Sequence, residues 1–216
     1  MRNGAGTQDW PDGSRYVGEW LNDKAHGFGI LYHPDGDKYE GEWSDDKANG
    51  QGTYTHFNGA RFSGQWINDL QEGFGSETWN DGATYQGDYH QGKKHGKGKL
   101  IFADGSVYEG EFDTDIIQGY GLYQWNDGKV YQGSWVKNKM HGHGHLKWPT
   151  GKEYIGNFVE DRREGQGHFK WADGREYKGN WKDGKQHGQG LFTMKNGIVK
   201  QGFWVEGKRS EWIPNQ

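Results

Sequence analysis

The sequence predicts an all-β protein: an elongated, single-layer, twisted antiparallel meander built from 23-residue units of two strands each. Three observations predict this fold class. Tyrosine or phenylalanine recurs every 23 residues from Tyr16 to Tyr177 without an insertion. Short stretches alternate apolar residues or glycine with polar residues, as strands with two different faces do. The chain also contains 39 glycines, a density that disfavours helix.

The period places the whole chain, residues 1–216, in one array. A partial unit covers residues 1–15, eight full units cover 16–199, and a partial unit with a C-terminal cap covers 200–216. In the last unit, bulky residues at 211–213 replace the Gly-x-Gly of the earlier units. We therefore expect Lys208–Ile213 to cover the edge of the final strand, because open sheet edges invite aggregation.

Each unit contains two candidate strands. The first follows Tyr-x-Gly-x-Trp, as in residues 16–20, and the second begins at Gly-x-Gly and runs into apolar residues, as in 142–148. Six or seven polar residues, such as 182–187, are expected to link the strands at one sheet edge. At the other edge, turns such as Pro11-Asp12-Gly13 are expected to span three residues. That length places Phe169 opposite Tyr177 and Gly167 opposite Gly179, so that the apolar residues share a face.

The shared face carries the Tyr, Gly and Trp of the first strand and the Gly, Leu, Phe, Tyr and Trp residues of the second. The opposite face is mostly polar. Because no sequence remains for a second layer, the rings must pack on one another, with the glycines leaving slots for them. About 19 strands at roughly 4.8 Å spacing would extend for about 85 Å. The twist between neighbouring strands would coil such a sheet.

Composition narrows the function classes. The 12 Trp, 12 Tyr and 10 Phe residues favour a folded chain over a disordered one. The absence of cysteine and of a signal-like or membrane-length apolar run leads us to expect a soluble, cytoplasmic protein. The net charge of −4 does not predict a nucleic-acid partner. Residues 1–108 contain 10 basic and 16 acidic residues, against 16 and 14 in 109–216. This asymmetry either orients a bound partner or is drift among solvated residues.

From about Asn3 to Trp204, Tyr-x-Gly-x-Trp followed by His-Gly-x-Gly at fixed spacing resembles the MORN (membrane occupation and recognition nexus) repeat. The resemblance implies a grooved antiparallel β array that acts as a scaffold or adaptor. Members of this family occur at membrane-contact sites, in ciliary and flagellar axonemes, in the apical cytoskeleton of protists, and attached to kinases or methyltransferases. The departures from the pattern are Tyr89, Phe112 and Phe158 in place of Trp, and Asn49, Glu72, Gln118 and Glu164 in place of His.

The main candidate site is a trough along the aromatic face that docks a helical or extended segment of a partner protein. The alternative is that the rings only cover one another. From the family resemblance, we expect such a scaffold to work within a ciliary, axonemal or other cytoskeletal assembly. The predicted trough consists of Tyr16, Trp20, Tyr39, Trp43, Phe62, Trp66, Tyr85, Tyr89, Tyr108, Phe112, Tyr131, Trp135, Tyr154, Phe158, Tyr177 and Trp181.

Two alternative functions remain open. A peripheral membrane module could hold phosphoinositide headgroups through a recurring column of cations, of which Lys93, Lys139 and Lys185 are the candidate contacts. Neighbouring acidic residues cancel much of that charge. Alternatively, the array could be the regulatory repeat region of a larger enzyme. The sequence makes no prediction about the oligomeric state.

No catalytic residue, cofactor or metal site is predicted. The sequence has no phosphate-binding loop and no cysteine nucleophile, and no pair of acidic residues is predicted to lie in an apolar cleft. His143, His145 and His168 invite a zinc hypothesis. However, His145 and His168 are two strands apart, about 9.6 Å, whereas zinc ligands lie about 2 Å from one centre.

Overall fold

A computed structural model describes residues 1–214, which form nineteen strands and no helix. The all-β antiparallel meander is therefore confirmed. No membrane-crossing helix is found in this part of the chain. The strands are β1 (Gly4–Asp9), β2 (Arg15–Leu21), β3 (Lys24–Tyr32), β4 (Lys38–Ser44), β5 (Lys47–Thr55), β6 (Arg61–Ile67), β7 (Leu70–Thr78), β8 (Thr84–His90), β9 (Lys93–Ile101), β10 (Val107–Asp113), β11 (Ile116–Gln124), β12 (Val130–Val136), β13 (Lys139–Lys147), β14 (Glu153–Val159), β15 (Arg162–Lys170), β16 (Glu176–Lys182), β17 (Lys185–Thr193), β18 (Val199–Val205) and β19 (Lys208–Trp212).

The chain divides into two compact units. The first contains residues 1–104 and 112–115, and the second contains residues 105–111 and those from 116 onward. In the first unit, each strand from β1 to β9 pairs antiparallel with the next along the chain. In the second unit, the strands from β11 to β19 do the same.

The three-residue turns are confirmed. Phe169 lies opposite Tyr177 and Gly167 opposite Gly179, as the shared apolar face requires. The Trp171 N–H donates to the Arg175 carbonyl at 2.9 Å across the turn. Gly174 closes this turn with a φ of 90°, a conformation that favours glycine.

The prediction of long polar links at the other edge is wrong. Lys182 pairs directly with Lys185, so only Asp183 and Gly184 form the turn. Both turn residues have positive φ, 50° and 79°. Two-residue turns of this kind match the twist of a hairpin and favour Asn, Asp and Gly. The polar residues after the turn are the first residues of β17.

These two-residue turns are hydrogen-bonded to the preceding repeat. The Asp46 N–H donates to the Ala25 carbonyl at 3.1 Å, while Asp46 Oδ1 accepts from the Ala25 N–H at 2.7 Å. The Asp46 side chain therefore acts as one more acceptor in the hydrogen-bond ladder of the sheet. The same pair of bonds joins Asp69 to Ala48, Asp115 to Lys94, Asn138 to Ile117, and Asp161 to Met140.

The four residues that replace histidine have a role at these turns. The side chain of each accepts a hydrogen bond from the backbone of the next repeat, at the first residue of its two-residue turn. These departures from the family pattern thus supply an acceptor at the turn. The bonds run from Asn68 to Asn49, Gln91 to Glu72, Lys137 to Gln118, and Asp183 to Glu164.

We expect Asp161→Ala to lower the free energy of unfolding by about 2 kcal/mol, through the lost bond to Met140 and the strain of alanine at positive φ. Asp161 has a φ of 68°. Asp161→Asn is the matched control, since Asn138 occupies the same position one repeat earlier, and it should cost less than about 0.5 kcal/mol. Urea unfolding followed by circular dichroism measures both. Equal costs for the two variants would contradict a structural role for the side-chain acceptor.

The expected cap is strand β19, which pairs with β18 and thereby covers its edge. Trp212 lies opposite Gly202, and its ring centroid is 6.0 Å from that of Trp204 and 6.3 Å from that of Phe192. The Ile213 N–H donates to the Gln201 carbonyl at 2.9 Å. The bulky residue that breaks the glycine pattern therefore closes the end of the aromatic face as well.

Candidate functional site on the aromatic face

The rings of the first strand of each repeat form an inner row that is the core of the protein. The Tyr16 ring centroid lies 5.0 Å from that of Trp20 in its own repeat and 5.4 Å from that of Trp43 in the next, both at nearly right angles. In the second unit, Tyr131 lies in the same way between Trp135 at 5.1 Å and Phe158 at 5.2 Å. Edge-to-face packing of this kind is favourable. All sixteen rings of the predicted trough belong to this inner row, and all are buried.

Glycines make the close approach of the tyrosines possible. The Tyr131 ring lies over Gly133 and Gly144, where a Cβ atom on either glycine would overlap it. A register shift between Gly133 and Trp135 leaves Ser134 without a partner on β13. The Tyr131 hydroxyl donates to the Ser134 carbonyl at 3.0 Å and so satisfies this partly buried acceptor. The inner row is thus fixed by steric fit and by hydrogen bonding.

Burial raises the pKa of Tyr16 and of Tyr177 to about 12. For both phenols, desolvation of the charged form is the largest cause, and the unfolded value is about 10. Because the folded pKa is raised, the neutral phenol contributes stability that is fully present below about pH 10 and is lost as pH rises toward the folded value. Burial also raises the pKa of the other inner-row tyrosines.

We therefore expect the protein to unfold in alkali as its tyrosines ionise. Phenolate absorbance and circular dichroism, recorded on the same samples between pH 9 and 13, should change together for the buried tyrosines. In denaturant, the same phenols should titrate near pH 10. Ionisation of all twelve tyrosines near pH 10 with the circular dichroism unchanged would contradict the burial of the inner row.

A second set of rings lies nearer the three-residue turns, and it remains partly accessible in the second unit. Their centroids follow one another at 4.5 Å from Tyr123 to Trp125, 5.8 Å from Trp148 to Phe169, and 4.6 Å from Phe169 to Trp171. Tyr123, Phe192 and the tryptophans Trp125, Trp148 and Trp171 are half-buried, whereas Phe169 is buried. We call Tyr123, Trp125, Trp148, Phe169, Trp171 and Phe192 the outer row.

The sequence-based site did not include the outer row. Its rings were assigned to the apolar face but were not separated from the buried ones. The sequence feature that distinguishes them from the buried rings is their position at the end of the second strand, next to the turn, where fewer neighbours cover a side chain. Trp148, for example, follows the last residue of β13 directly.

The outer row is accompanied by cations. Lys129 Nζ lies 3.9 Å from the centre of the Trp125 ring, and the Arg175 guanidinium lies 5.5 Å from that of Trp171. Cations over aromatic faces are attracted by the ring quadrupole. This part of the aromatic face therefore combines accessible rings with positive charge.

The first unit has carboxylates in comparable places. Asp37 accepts hydrogen bonds from the Tyr54 hydroxyl at 2.7 Å, the His56 ring at 2.9 Å and the Phe57 N–H at 2.9 Å. These bonds, led by that from Tyr54, lower the pKa of Asp37. Glu77 accepts from the Tyr89 hydroxyl at 2.8 Å and pairs with Lys94 at 2.9 Å. The charge asymmetry of the sequence thus extends to the aromatic face.

Each unit has an open concavity on this face. That of the first unit has a volume of about 500 Å³, and its lining includes the acidic residues Asp12, Asp23 and Asp46. That of the second unit has a volume of about 290 Å³ and is lined by Arg163, Phe169, Trp171, Trp181, Gly184, Lys185, Gln186 and Gly207. Both have inner-row rings in their lining, and in both the residues of the two-residue turns form one wall.

The candidate lipid contacts lie along the edge of the two-residue turns. Lys139 Nζ lies 3.5 Å from Glu160 Oε2, and Lys185 Nζ lies 2.9 Å from Glu206 Oε2, whereas Lys93 is exposed. The acidic residues that neutralise two of these cations come from the next repeat. This pairing reduces the charge that the edge presents to an anionic surface.

Two of the histidines considered for zinc pair with carboxylates instead. His145 Nε2 lies 2.9 Å from Glu153, and His168 Nε2 lies 2.8 Å from Glu176. Within residues 1–214, no group of three or more histidine, aspartate or glutamate side chains lies close enough to hold a metal ion.

A scan of protein families finds the MORN repeat nine times in succession, at residues 1–15, 16–38, 39–61, 62–84, 85–107, 108–130, 131–153, 154–174 and 177–199. The chain belongs to the MORN-repeat family. The second to ninth MORN matches start 23 residues apart, from Tyr16 to Tyr177, as the period predicts, and the first covers the partial unit at residues 1–15. The resemblance drawn from Tyr-x-Gly-x-Trp is thereby confirmed.

Two solved structures are similar to this MORN-repeat chain. The TCP domain of SAS-4 (dCPAP) from Drosophila melanogaster, solved with a proline-rich motif of Ana2 (dSTIL), is 12% identical, with 71% of this chain and 84% of that chain covered and a TM-score of 0.44. The TCP10 domain of Danio rerio CPAP, solved with a STIL peptide, is 15% identical, with 98% and 99% covered and a TM-score of 0.42. No curated protein matches the sequence.

Proposed function

We propose that this MORN-repeat chain is a non-enzymatic scaffold that docks an extended or helical segment of a partner protein on its aromatic face. The observation that carries the proposal is the outer row of the second unit, where Trp125, Trp148 and Trp171 remain partly exposed and cations lie over the rings of Trp125 and Trp171. Partly exposed tryptophans and arginines are the residues that most often dominate protein–protein binding energies.

The two rows have different parts in this proposal. The inner row is buried and sets the spacing and rigidity of the surface, while the outer row makes the contacts. Trp148 and Trp171 are the side chains whose truncation should weaken docking without removing the core. Rigid aromatic side chains lose little conformational entropy on binding, which favours them as contacts.

The proposal is tested with a photo-crosslinking amino acid, p-benzoylphenylalanine, placed in the full chain at Trp171 or, as a control, at Leu191. Leu191 lies in β17 of the same unit and is 45% exposed. After irradiation in the native cell, position 171 should yield crosslinked peptides from one recurring partner. The yield should fall at least tenfold when Trp148→Ser is added, and position 191 should give none of this product.

Equal crosslinking from positions 171 and 191, or a yield that Trp148→Ser leaves unchanged, would overturn the proposal. On the basis of where MORN-repeat proteins occur, we expect the partner to be a component of a cytoskeletal or axonemal assembly. Flotation with phosphoinositide vesicles tests the alternative function, membrane binding. Binding that survives Trp148→Ser but is lost in Lys93→Glu, Lys139→Glu and Lys185→Glu would assign the chain to membranes instead.

A further inference from the structure

The concavity of the second unit contains an arginine without an anionic partner. The Arg163 guanidinium lies 4.3 Å from the centre of the Trp181 ring and 5.5 Å from that of Phe169. Its Nη2 donates to the Gly184 carbonyl at 2.6 Å. The ion pairs found among residues 1–214 do not include Arg163. Burial lowers the pKa of this arginine.

A second group in the same concavity also lacks a partner. Gln186 lies opposite Trp181 on β17, and its Nε2 atom is buried without a hydrogen-bond acceptor among residues 1–214. A buried donor that makes no bond destabilises the fold. Lys185, the other cation of the lining, already pairs with Glu206 at 2.9 Å. Arg163 and Gln186 therefore offer unused N–H groups to an acceptor that the described chain does not supply.

We propose that this concavity is a carboxylate pocket, in which Arg163 and Gln186 bind the acidic side chain of the docked partner segment while Phe169 and Trp171 receive a neighbouring apolar side chain. This rests on the proposed docking function. A guanidinium donates two parallel hydrogen bonds to a carboxylate, a geometry that gives direction as well as affinity. One uncompensated positive charge matches a carboxylate better than a phosphate group, which carries about −1.5 to −2 at neutral pH.

The pocket is specific to its position in the array. The place of Arg163 is taken by Ala25, Ala48, Ile117 and Met140 in other repeats. Two cations take this place in the first unit, and both are paired: Lys94 with Glu77 at 2.9 Å and Arg2 with Asp23 at 3.5 Å. An acidic residue in the partner segment would therefore find its site at one repeat, and this would fix the register of the segment along the repeats.

The test uses the full chain labelled with ¹⁵N and two small probes of nearly equal shape, 3-phenylpropionate and 3-phenylpropanamide. Shifts of the tryptophan Nε1–H signals of Trp171 and Trp181 report binding. The acid should bind at least tenfold more tightly than the amide. Arg163→Met, which copies Met140, should abolish this preference. Arg162→Gln is the matched control, because exposed Arg162 pairs with Asp183 at 2.9 Å outside the concavity, and it should leave binding unchanged.

Equal binding of the acid and the amide, or acid binding that persists in Arg163→Met, would overturn the pocket. Tighter binding of inorganic phosphate or of phosphoinositide vesicles at Arg163 would also overturn it as a carboxylate site. Thermal unfolding checks that both variants fold, and Arg163→Gln serves if Arg163→Met does not. If neither probe binds but position 171 still crosslinks to the partner, the carboxylate pocket is rejected and the docking function is not. Probe binding without any crosslinked partner would reject docking alone.

Discussion

Trp135→Ala is expected to lower the free energy of unfolding of the second unit by about 3–5 kcal/mol, the usual cost of truncating a buried tryptophan. The Trp135 ring packs edge-on against Tyr131 at 5.1 Å and Tyr108 at 5.7 Å. Its Nε1–H donates to the Gly121 carbonyl at 3.3 Å. Removal would therefore leave a cavity, two rings that have each lost one packing partner, and a buried acceptor without its donor.

Urea unfolding of the full chain, followed by tryptophan fluorescence and circular dichroism, measures this cost. Trp125→Ala removes the same side chain from the half-exposed outer row and should cost about 1–2 kcal/mol, since less apolar area is lost. This pair of variants separates the two rows of the aromatic face. A cost for Trp135→Ala no larger than that for Trp125→Ala would show that the inner row is not the core.

The architecture could be predicted because the sequence repeats without a single insertion between Tyr16 and Tyr177. The length of the three-residue turns followed from one requirement, that Phe169 and Tyr177 share a face, and the register satisfies it. That argument depends only on the period of two in a strand. It therefore succeeds wherever the alternation of polar and apolar residues is unbroken.

The prediction failed where the alternation is interrupted. A register shift between Gly179 and Trp181 displaces the pairing of β16 with β17, so Lys185 and Gln186 look like part of a loop although they are paired. The turn itself depends on positive φ at Asp183 and Gly184. Asp-Gly is a strong signal for a two-residue turn, but the polar residues on both sides conceal it.

The depth to which the aromatic rings are buried also could not be predicted from the sequence. The period places Tyr131 and Trp135 on one face, but it does not show that each tyrosine closes the space between two repeats and buries the row. What stays accessible is decided by where a strand ends, as at Trp148 and Trp171. The sixteen rings of the predicted trough are buried, and their role in docking remains a prediction.

Gly144→Ala is expected to cost about 3 kcal/mol or more, although it adds only one methyl group. In an ordinary strand the same change would favour folding by about 0.5–1 kcal/mol, because glycine loses more backbone entropy. Here the new Cβ would overlap the Tyr131 ring. That ring is held by Trp135 and Phe158 on its two sides and by its bond to the Ser134 carbonyl, so it has no space to retreat. The steric cost therefore exceeds the entropic gain.

A double-mutant cycle with Tyr131→Leu tests this cause. With the ring removed, Gly144→Ala should cost less than about 1 kcal/mol, so the two changes should couple by about 2 kcal/mol. His143→Ala, at an exposed neighbouring position, controls for the effect of alanine in β13 and should stay within about 0.5 kcal/mol of the parent. Additive costs in the cycle would mean that Gly144 is required for a reason other than the ring above it. Coupling of the expected size would show that Gly144 is required because the Tyr131 ring packs directly over it.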